Sequence, residues 1–189
     1  MSEKSVVTFD IDNVIFYPSG FGKRLVAIHG AFVNFAEGVM SVIPHRIVSA
    51  VSDREYSKSV MASALLPQYI DQVVKIYNVD VRFISGRQPF QVQSTIRQFS
   101  DNGISIKEDN LIMVKTRNKI RAIKEVNSKL HVDDADMVIK QCNAEGVASC
   151  MISNERTKYN YYMRGKTLWT ESILPVIANM RLLLGCNVR

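Results

Sequence analysis

Five short apolar runs, at residues 5–9, 81–84, 111–114, 130–132 and 147–152, constrain this 189-residue chain more than any other feature. They are rich in Val and Ile and do not alternate with polar residues, which is the pattern of strands covered on both faces. Helical spacing fills the gaps between them. Pro89 can open a helix whose apolar face is Phe90, Val92, Ile96 and Phe99, with Gly103 placed to end it. Ile120, Ile123, Val126 and Leu130 form a second stripe, and residues 136–145 a third helix closed by Gly146. Strand alternating with helix predicts an α/β chain, a Rossmann-like three-layer sandwich around a mainly parallel sheet.

One stretch interrupts this rhythm. Between Tyr17 and Tyr77 no segment reads as a strand, while residues 25–40 and 46–65 read as helices punctuated by Pro44 and Pro67. Some 60 residues without a strand is too long for a loop in a compact domain. The expectation is a core of residues 1–16 and 78–189, with 66–77 returning as a core helix, and a small helical cap, residues 17–65, inserted after the first strand.

The strand ends carry the chemistry. In open parallel sheets ligands bind outside the carboxyl ends of the strands. The first run ends in Asp10-Ile11-Asp12, two carboxylates one residue apart that repel each other unless a cation or a shared proton lies between them. A solvated Asx turn is the alternative reading of the same residues. The second run leads to Ser85-Gly86-Arg87, the fourth to Asp133-Asp134 with Asp136 close behind, and Lys119 begins the helix before that fourth run. Carboxylates can hold a hard cation. Lysine, a hydroxyl and backbone N–H groups can hold phosphate oxygens. Together they are the inventory of magnesium-assisted phosphoryl transfer.

Asp-x-Asp, then Ser-Gly-Arg, then Lys, then Asp-Asp resembles the four motifs of the haloacid dehalogenase superfamily of phosphatases, over residues 5–20 and 78–153. Receiver domains use similar residues in another order, with the acidic pair first. The resemblance implies that Asp10 is the nucleophile and forms an aspartyl-phosphate, while Asp12 is acid to the leaving oxygen and then base to water. It implies Mg²⁺ held by Asp10, the Asp12 carbonyl, Asp133 and Asp134, and a phosphoryl group held by Ser85, Gly86 and Lys119. Lys115 and Lys124 compete for the lysine role, and Asp136 competes with Asp134, although Asp136 also suits the first turn of a helix. Asn13 stands where many relatives have Gly, and Val14 where many have Thr.

At a finer level, residues 84–89 with Thr95-Ile96 and Leu111-Ile112-Met113 resemble two branches, the 5′(3′)-deoxyribonucleotidases and the phosphatase half of polynucleotide kinase-phosphatases. The cap position and residues 154–160 lean toward the nucleotidases. The implied substrate is a small phosphorylated molecule of nucleotide type. Polynucleotide ends are the alternative, as is a catalytically weak binding protein of the same fold. A net charge of +6 suits an anionic ligand, and residues 115–119 and 156–166 interleave Lys and Arg with Tyr159, Tyr161 and Tyr162. A solvated basic face explains the same pattern. Trp169, Ile173, Ile177 and Met180 fall at helical spacing and read as core, His29 and His45 as cap surface, and His131 as a packed core histidine. Three cysteines without CxxC spacing exclude a disulfide framework and a zinc site, and point to the reducing cytoplasm. No apolar stretch approaches the roughly 20 residues of a membrane span, and the N-terminus does not read as a signal peptide.

Overall fold

A computed structural model of the chain describes residues 4–17, 59–87, 89–152, 168–170 and 173–178. The elements run β1 (Ser5–Phe9), β2 (Phe16–Tyr17), β3 (Val60–Met61), α1 (Leu66–Tyr77), β4 (Val79–Ser85), α2 (Val92–Asp101), β5 (Leu111–Met113), α3 (Lys119–Glu125), β6 (Ser128–Asp133), α4 (Asp136–Ala144), β7 (Ala148–Ile152), β8 (Leu168–Thr170) and α5 (Ile173–Ala178). Six strands form one sheet in the order β5-β4-β1-β6-β7-β8, and every neighbouring pair is parallel. β2 and β3 form a separate antiparallel pair. This is the predicted α/β, Rossmann-like architecture.

Alternation along β1 and β6 divides the side chains between two faces. Val7 and Phe9 of β1 and Leu130 and Val132 of β6 join the larger core, with Leu66 and Val73 of α1, Phe99 of α2, and Ile173 and Val176 of α5. Aromatic rings fill its centre: Phe83 and Phe99 lie 4.6 Å apart, and Phe16 meets Phe99 edge-on at 5.0 Å. The other face packs Ile84 against Ala122 and Ile123 of α3 and Val138 and Cys142 of α4. That second face also carries a buried polar stripe. Thr8, His131 and Asp133 are fully buried, and Ser128 nearly so.

The sequence reading needs four corrections. Residues 59–65 were expected in a helix, but Val60–Met61 is a strand, paired with Phe16–Tyr17 and anchored by the Ala62 N–H to the Ile15 carbonyl at 2.8 Å. A two-residue strand is too short to show a period, so helical spacing won by default. Trp169 lies in β8 rather than on a helix, and the helix begins at Ile173. Leu130 belongs to β6 and not to the preceding stripe, because Asn127 turns the chain at φ +52°. β4 extends two residues before its apolar run. Asp80 in that extension pairs with Arg82, inside the run, at 2.8 Å. The expected helix at 25–40, residues 46–58 of the one expected at 46–65, His29, His45, the 154–160 segment and the basic run 156–166 with Tyr159, Tyr161 and Tyr162 lie outside the described residues. Among the described residues no helix is long and apolar enough to cross a membrane.

Candidate active site

The sheet order sets the site. β1 lies between β4 and β6, with Phe9 in register with both Phe83 and Val132. The residues just beyond these positions therefore converge at one end of the sheet. Asp10 follows β1, held in the ladder by its N–H to the Val132 carbonyl at 2.8 Å, while Ser85 ends β4 and Asp133 ends β6.

Lys119, the first residue of α3, reaches into this point and is almost fully buried. Its Nζ lies 2.8 Å from Asp10 Oδ1 and 2.8 Å from Asp133 Oδ2. Lys115 is exposed, and Lys124 pairs with Glu145 on the surface, so geometry brings only Lys119 of the three lysines to the carboxylates. Asp136 sits in the first turn of α4 paired with Lys140, away from the cluster.

Asp133 is also held from behind. His131 Nε2 lies 3.1 Å from Asp133 Oδ2, His131 Nδ1 lies 2.9 Å from Thr8 Oγ1, and Thr8 Oγ1 lies 2.8 Å from Ser128 Oγ. The Ala135 N–H donates to Asp133 Oδ1 at 2.8 Å. Asp134 accepts from Asn13 Nδ2 at 2.9 Å. Asn13 stands at φ +63°, a left-handed conformation that Gly and Asn adopt readily. That accounts for Asn where many relatives of the resembled family carry Gly, and the amide adds a bond that Gly cannot make.

Asp12 takes a different direction. Arg87 Nε donates to its Oδ2 at 3.0 Å and Arg87 Nη2 to its Oδ1 at 2.7 Å, a fork matched to the carboxylate. Arg87 is buried, and its Nη1 donates to Thr95 Oγ1 at 3.0 Å and Gln98 Oε1 at 2.7 Å. Gln98 in turn donates to Ser59 Oγ. Ser85 is fully buried, with its Oγ accepting the Arg87 N–H at 3.2 Å, and Gly86 is exposed. A Cβ on Gly86 would stand 3.2 Å from Thr116 Oγ1, so the segment of exposed Lys115 and Arg117 borders this turn.

The electrostatics follow from burial and crowding. Burial pushes the Asp10 carboxyl well above the ordinary carboxylate range; Lys119 opposes this, and Asp133, Asp134 and Asp12 reinforce it. Burial, then Asp133, raises Asp134 to about 7. Burial also works against an ionised Asp133, but Lys119 and His131 outweigh it and hold that carboxyl at about 2. Lys119 loses solvation as well, yet Asp10 and Asp133 lift it above its ordinary value. Burial lowers His131.

One ammonium thus faces three carboxylates. Asp10, Asp133 and Asp134 each offer an oxygen, and these oxygens lie within 4.8 Å of one another. All-oxygen donors, crowded and short of positive charge, fit a hard divalent cation. The carboxylate of Asp12 is not in that set.

Sequence reasoning left four participants unassigned: Arg87 as the grip on Asp12, Thr95 and Gln98 as its tethers, and Thr8 behind His131. Two of the residues in these networks carried a signal. Thr8 precedes Asp10 by two and His131 precedes Asp133 by two, so each shares a strand face with its carboxylate.

No family model and no curated protein matches this sequence. Solved structures do match in fold. A haloacid dehalogenase-like family hydrolase from Xanthomonas campestris is 11% identical with a TM-score of 0.57, over 98% of each chain. CbbY from Rhodobacter sphaeroides, solved in complex with phosphate, is 9% identical with a TM-score of 0.61, over 92% of this chain and 96% of its own. A haloacid dehalogenase-like hydrolase from Burkholderia xenovorans is 10% identical with a TM-score of 0.58, over 97% of this chain and 99% of its own. The likeness, at these identities, is one of architecture: this chain has the fold of the haloacid dehalogenase-like hydrolases.

Proposed function

We propose that this protein is a divalent-cation-dependent phosphatase that hydrolyses a phosphate monoester through Asp10. The observation that carries the reading is the bridge of Lys119 between Asp10 and Asp133, with Asp134 beside them, at the carboxyl ends of the central strands. The phosphate bound to the Rhodobacter protein of like fold supports the same choice. In the proposed reaction an Asp10 oxygen attacks phosphorus and the bond to the leaving oxygen breaks, while Asp12, protonated and released from the Arg87 fork, gives that oxygen a proton. Water then attacks the aspartyl-phosphate, Asp12 takes a proton from it, and phosphate leaves with Asp10 restored. Ser85, Gly86 and Lys119 hold the phosphoryl oxygens. Asp10, Asp133 and Asp134 would hold Mg²⁺, which supplies positive charge against the phosphate and the attacking carboxylate.

The substrate we propose is of nucleotide type, acted on in the cytoplasm, where the free thiols of Cys142 and Cys150 are at home. Residues 17–65 are proposed as the cap that selects it. A second reading, polynucleotide ends, is favoured by the exposed Lys115 and Arg117 beside the Ser85-Gly86 turn. Phosphate release from mononucleotides, sugar phosphates and 3′- or 5′-phosphorylated oligonucleotides, with Mg²⁺ and with EDTA, tests both. Turnover that needs Mg²⁺ and vanishes in Asp10→Asn is expected; equal turnover by Asp10→Asn overturns the mechanism. Steep loss with salt for oligonucleotides alone selects the second reading.

A further inference from the structure

We propose that His131 is a positioning residue for Asp133, set in one tautomer by the Thr8 hydroxyl, and that this pair fixes how Asp133 meets a cation. The inference rests on reading Asp10, Asp133 and Asp134 as a divalent-cation site. It begins from the polar stripe on the second face of the sheet, where Thr8 and His131 are fully buried and lie in register across β1 and β6. A histidine in that place has no solvent partner, so each ring nitrogen must find one in the protein.

The hydrogen bonds determine which nitrogen carries the proton. An ionised Asp133 can only accept, and its Oδ2 already faces the Lys119 ammonium at 2.8 Å. His131 Nε2, 3.1 Å away, must therefore be the donor. In a neutral ring Nδ1 is then bare and accepts from the Thr8 hydroxyl at 2.9 Å. Thr8 has one proton and three acceptors in reach, Nδ1, Ser128 Oγ at 2.8 Å and the Leu130 carbonyl at 3.3 Å. Ser128 donates to that carbonyl at 2.8 Å, so of the three only the bare Nδ1 depends on the Thr8 proton. Without the Thr8 proton the ring gains nothing by leaving Nδ1 bare. The other tautomer would aim a lone pair at Asp133.

The consequence is a count of acceptor sites. Two carboxylate oxygens offer about four lone-pair positions. Lys119 and His131 take two at Oδ2, and the Ala135 N–H takes one at Oδ1. One position remains, at Oδ1. Asp133 is thereby presented to a cation through a single oxygen, with its plane fixed by three protein donors. Hydrogen-bond partners behind a metal ligand commonly govern about 10- to 100-fold in affinity.

The experiment uses the full chain and Mg²⁺ alone. Calorimetric Mg²⁺ titrations compare wild type with Thr8→Val, His131→Leu and His131→Gln, each confirmed folded by circular dichroism. Side-chain ¹⁵N–¹H spectra of the metal-free wild type, assigned by the resonance lost in His131→Gln, read the tautomer. The expected results are a ring protonated at Nε2 only and Mg²⁺ affinity weakened about 10- to 100-fold in His131→Leu. A smaller loss is expected in Thr8→Val, with partial recovery in His131→Gln, whose amide can both donate and accept. A ring protonated at Nδ1, or Mg²⁺ affinity in folded Thr8→Val and His131→Leu equal to that of wild type, overturns the inference and leaves the phosphatase reading standing. If His131→Leu does not fold, the tautomer and Thr8→Val decide alone. A wild type that binds no Mg²⁺ overturns both.

Discussion

Arg87 holds both carboxylate oxygens of Asp12 at once, through Nε at 3.0 Å and Nη2 at 2.7 Å, while Thr95 and Gln98 hold the far side of its guanidinium. The pair spans 75 residues and ties the turn after β1 to the turn after β4. Arg87→Lys keeps the charge and loses the fork, because an ammonium offers no planar pair of donors. Removing one partner of a buried pair costs on the order of 3 kcal/mol, and the lower side of that is expected since Asp12 is 27% exposed. Urea unfolding of Arg87→Lys and Arg87→Ala measures it. Midpoints equal to wild type would show the fork to be energetically idle.

Asn13 holds a left-handed backbone conformation at the site. Asn13→Gly can keep φ +63° and should lose only the amide bond to Asp134. Asn13→Val meets its Cβ with the wrong hand and should cost roughly 1–2 kcal/mol more. Thermal unfolding of the two variants side by side gives the difference directly, and Val as stable as Gly would refute the argument.

Lys119 is the single ammonium among Asp10, Asp133 and Asp134. Lys119→Met keeps the chain length and leaves buried carboxylates without their cation, so the protein in EDTA should lose about 3–5 kcal/mol. Added Mg²⁺ should return part of that loss, and more of it than the same Mg²⁺ adds to wild type. Chemical denaturation in EDTA and in Mg²⁺ makes the comparison.

Asp134 and Asp133 give opposite pH signatures. Asp134 is raised to about 7 from an unfolded value near 3.8, so its contribution is full below that value and is lost as pH rises through 7. Asp133 is lowered to about 2, so its contribution is full above 3.8 and is lost as pH falls through 2. The groups that act on Asp134 besides burial are Asp133, Lys119, Asn13 and Asp12; burial, then Asp134, raises Tyr17. Metal-free protein should lose stability between pH 5.5 and 8, and Mg²⁺ should raise the unfolding temperature more at pH 8 than at pH 5.5. A Mg²⁺ effect that shrinks as pH rises would contradict this.

Cys142 and Cys150 are fully buried, and burial pushes both thiols up to about 12. The reactive thiolate is scarce in both. In a Cys186→Ser background the native protein should take up no iodoacetamide at pH 8 over the time in which the urea-unfolded chain takes up two equivalents. Mass spectrometry after quenching counts them.

Much of this architecture could be read from the residues because buried parallel strands leave an unmistakable mark, and five of the six sheet strands carry it. β8 does not: three residues, Leu168–Thr170, are too few to distinguish strand from helix. Asp10, Lys119, Asp133 and Asp134 could be grouped from sequence because each stands at a predicted strand end or opens the helix that leads to one, where parallel sheets bind ligands. The partner of Asp12 was not legible. Arg87 follows a glycine in a turn, and nothing local says whether its five donors meet solvent, a ligand or an acid 75 residues earlier. His131 was rightly placed in the core. Its bonds on both sides depend on the register of β1 against β6, which alternation alone does not set.

The register that joins Thr8 to His131 also bears on how the chain folds. The two residues are 123 positions apart, and Asp10 reaches Lys119 and Asp133 only when β1 has been inserted between β4 and β6. Contacts of such separation cost a large loss of chain freedom. No hairpin or local fragment contains the site, so neither half of the chain, severed between β4 and β6, would hold Asp10, Lys119 and Asp133 together. A cation at the proposed site would therefore bind only the closed central sheet, and would stabilise that closure.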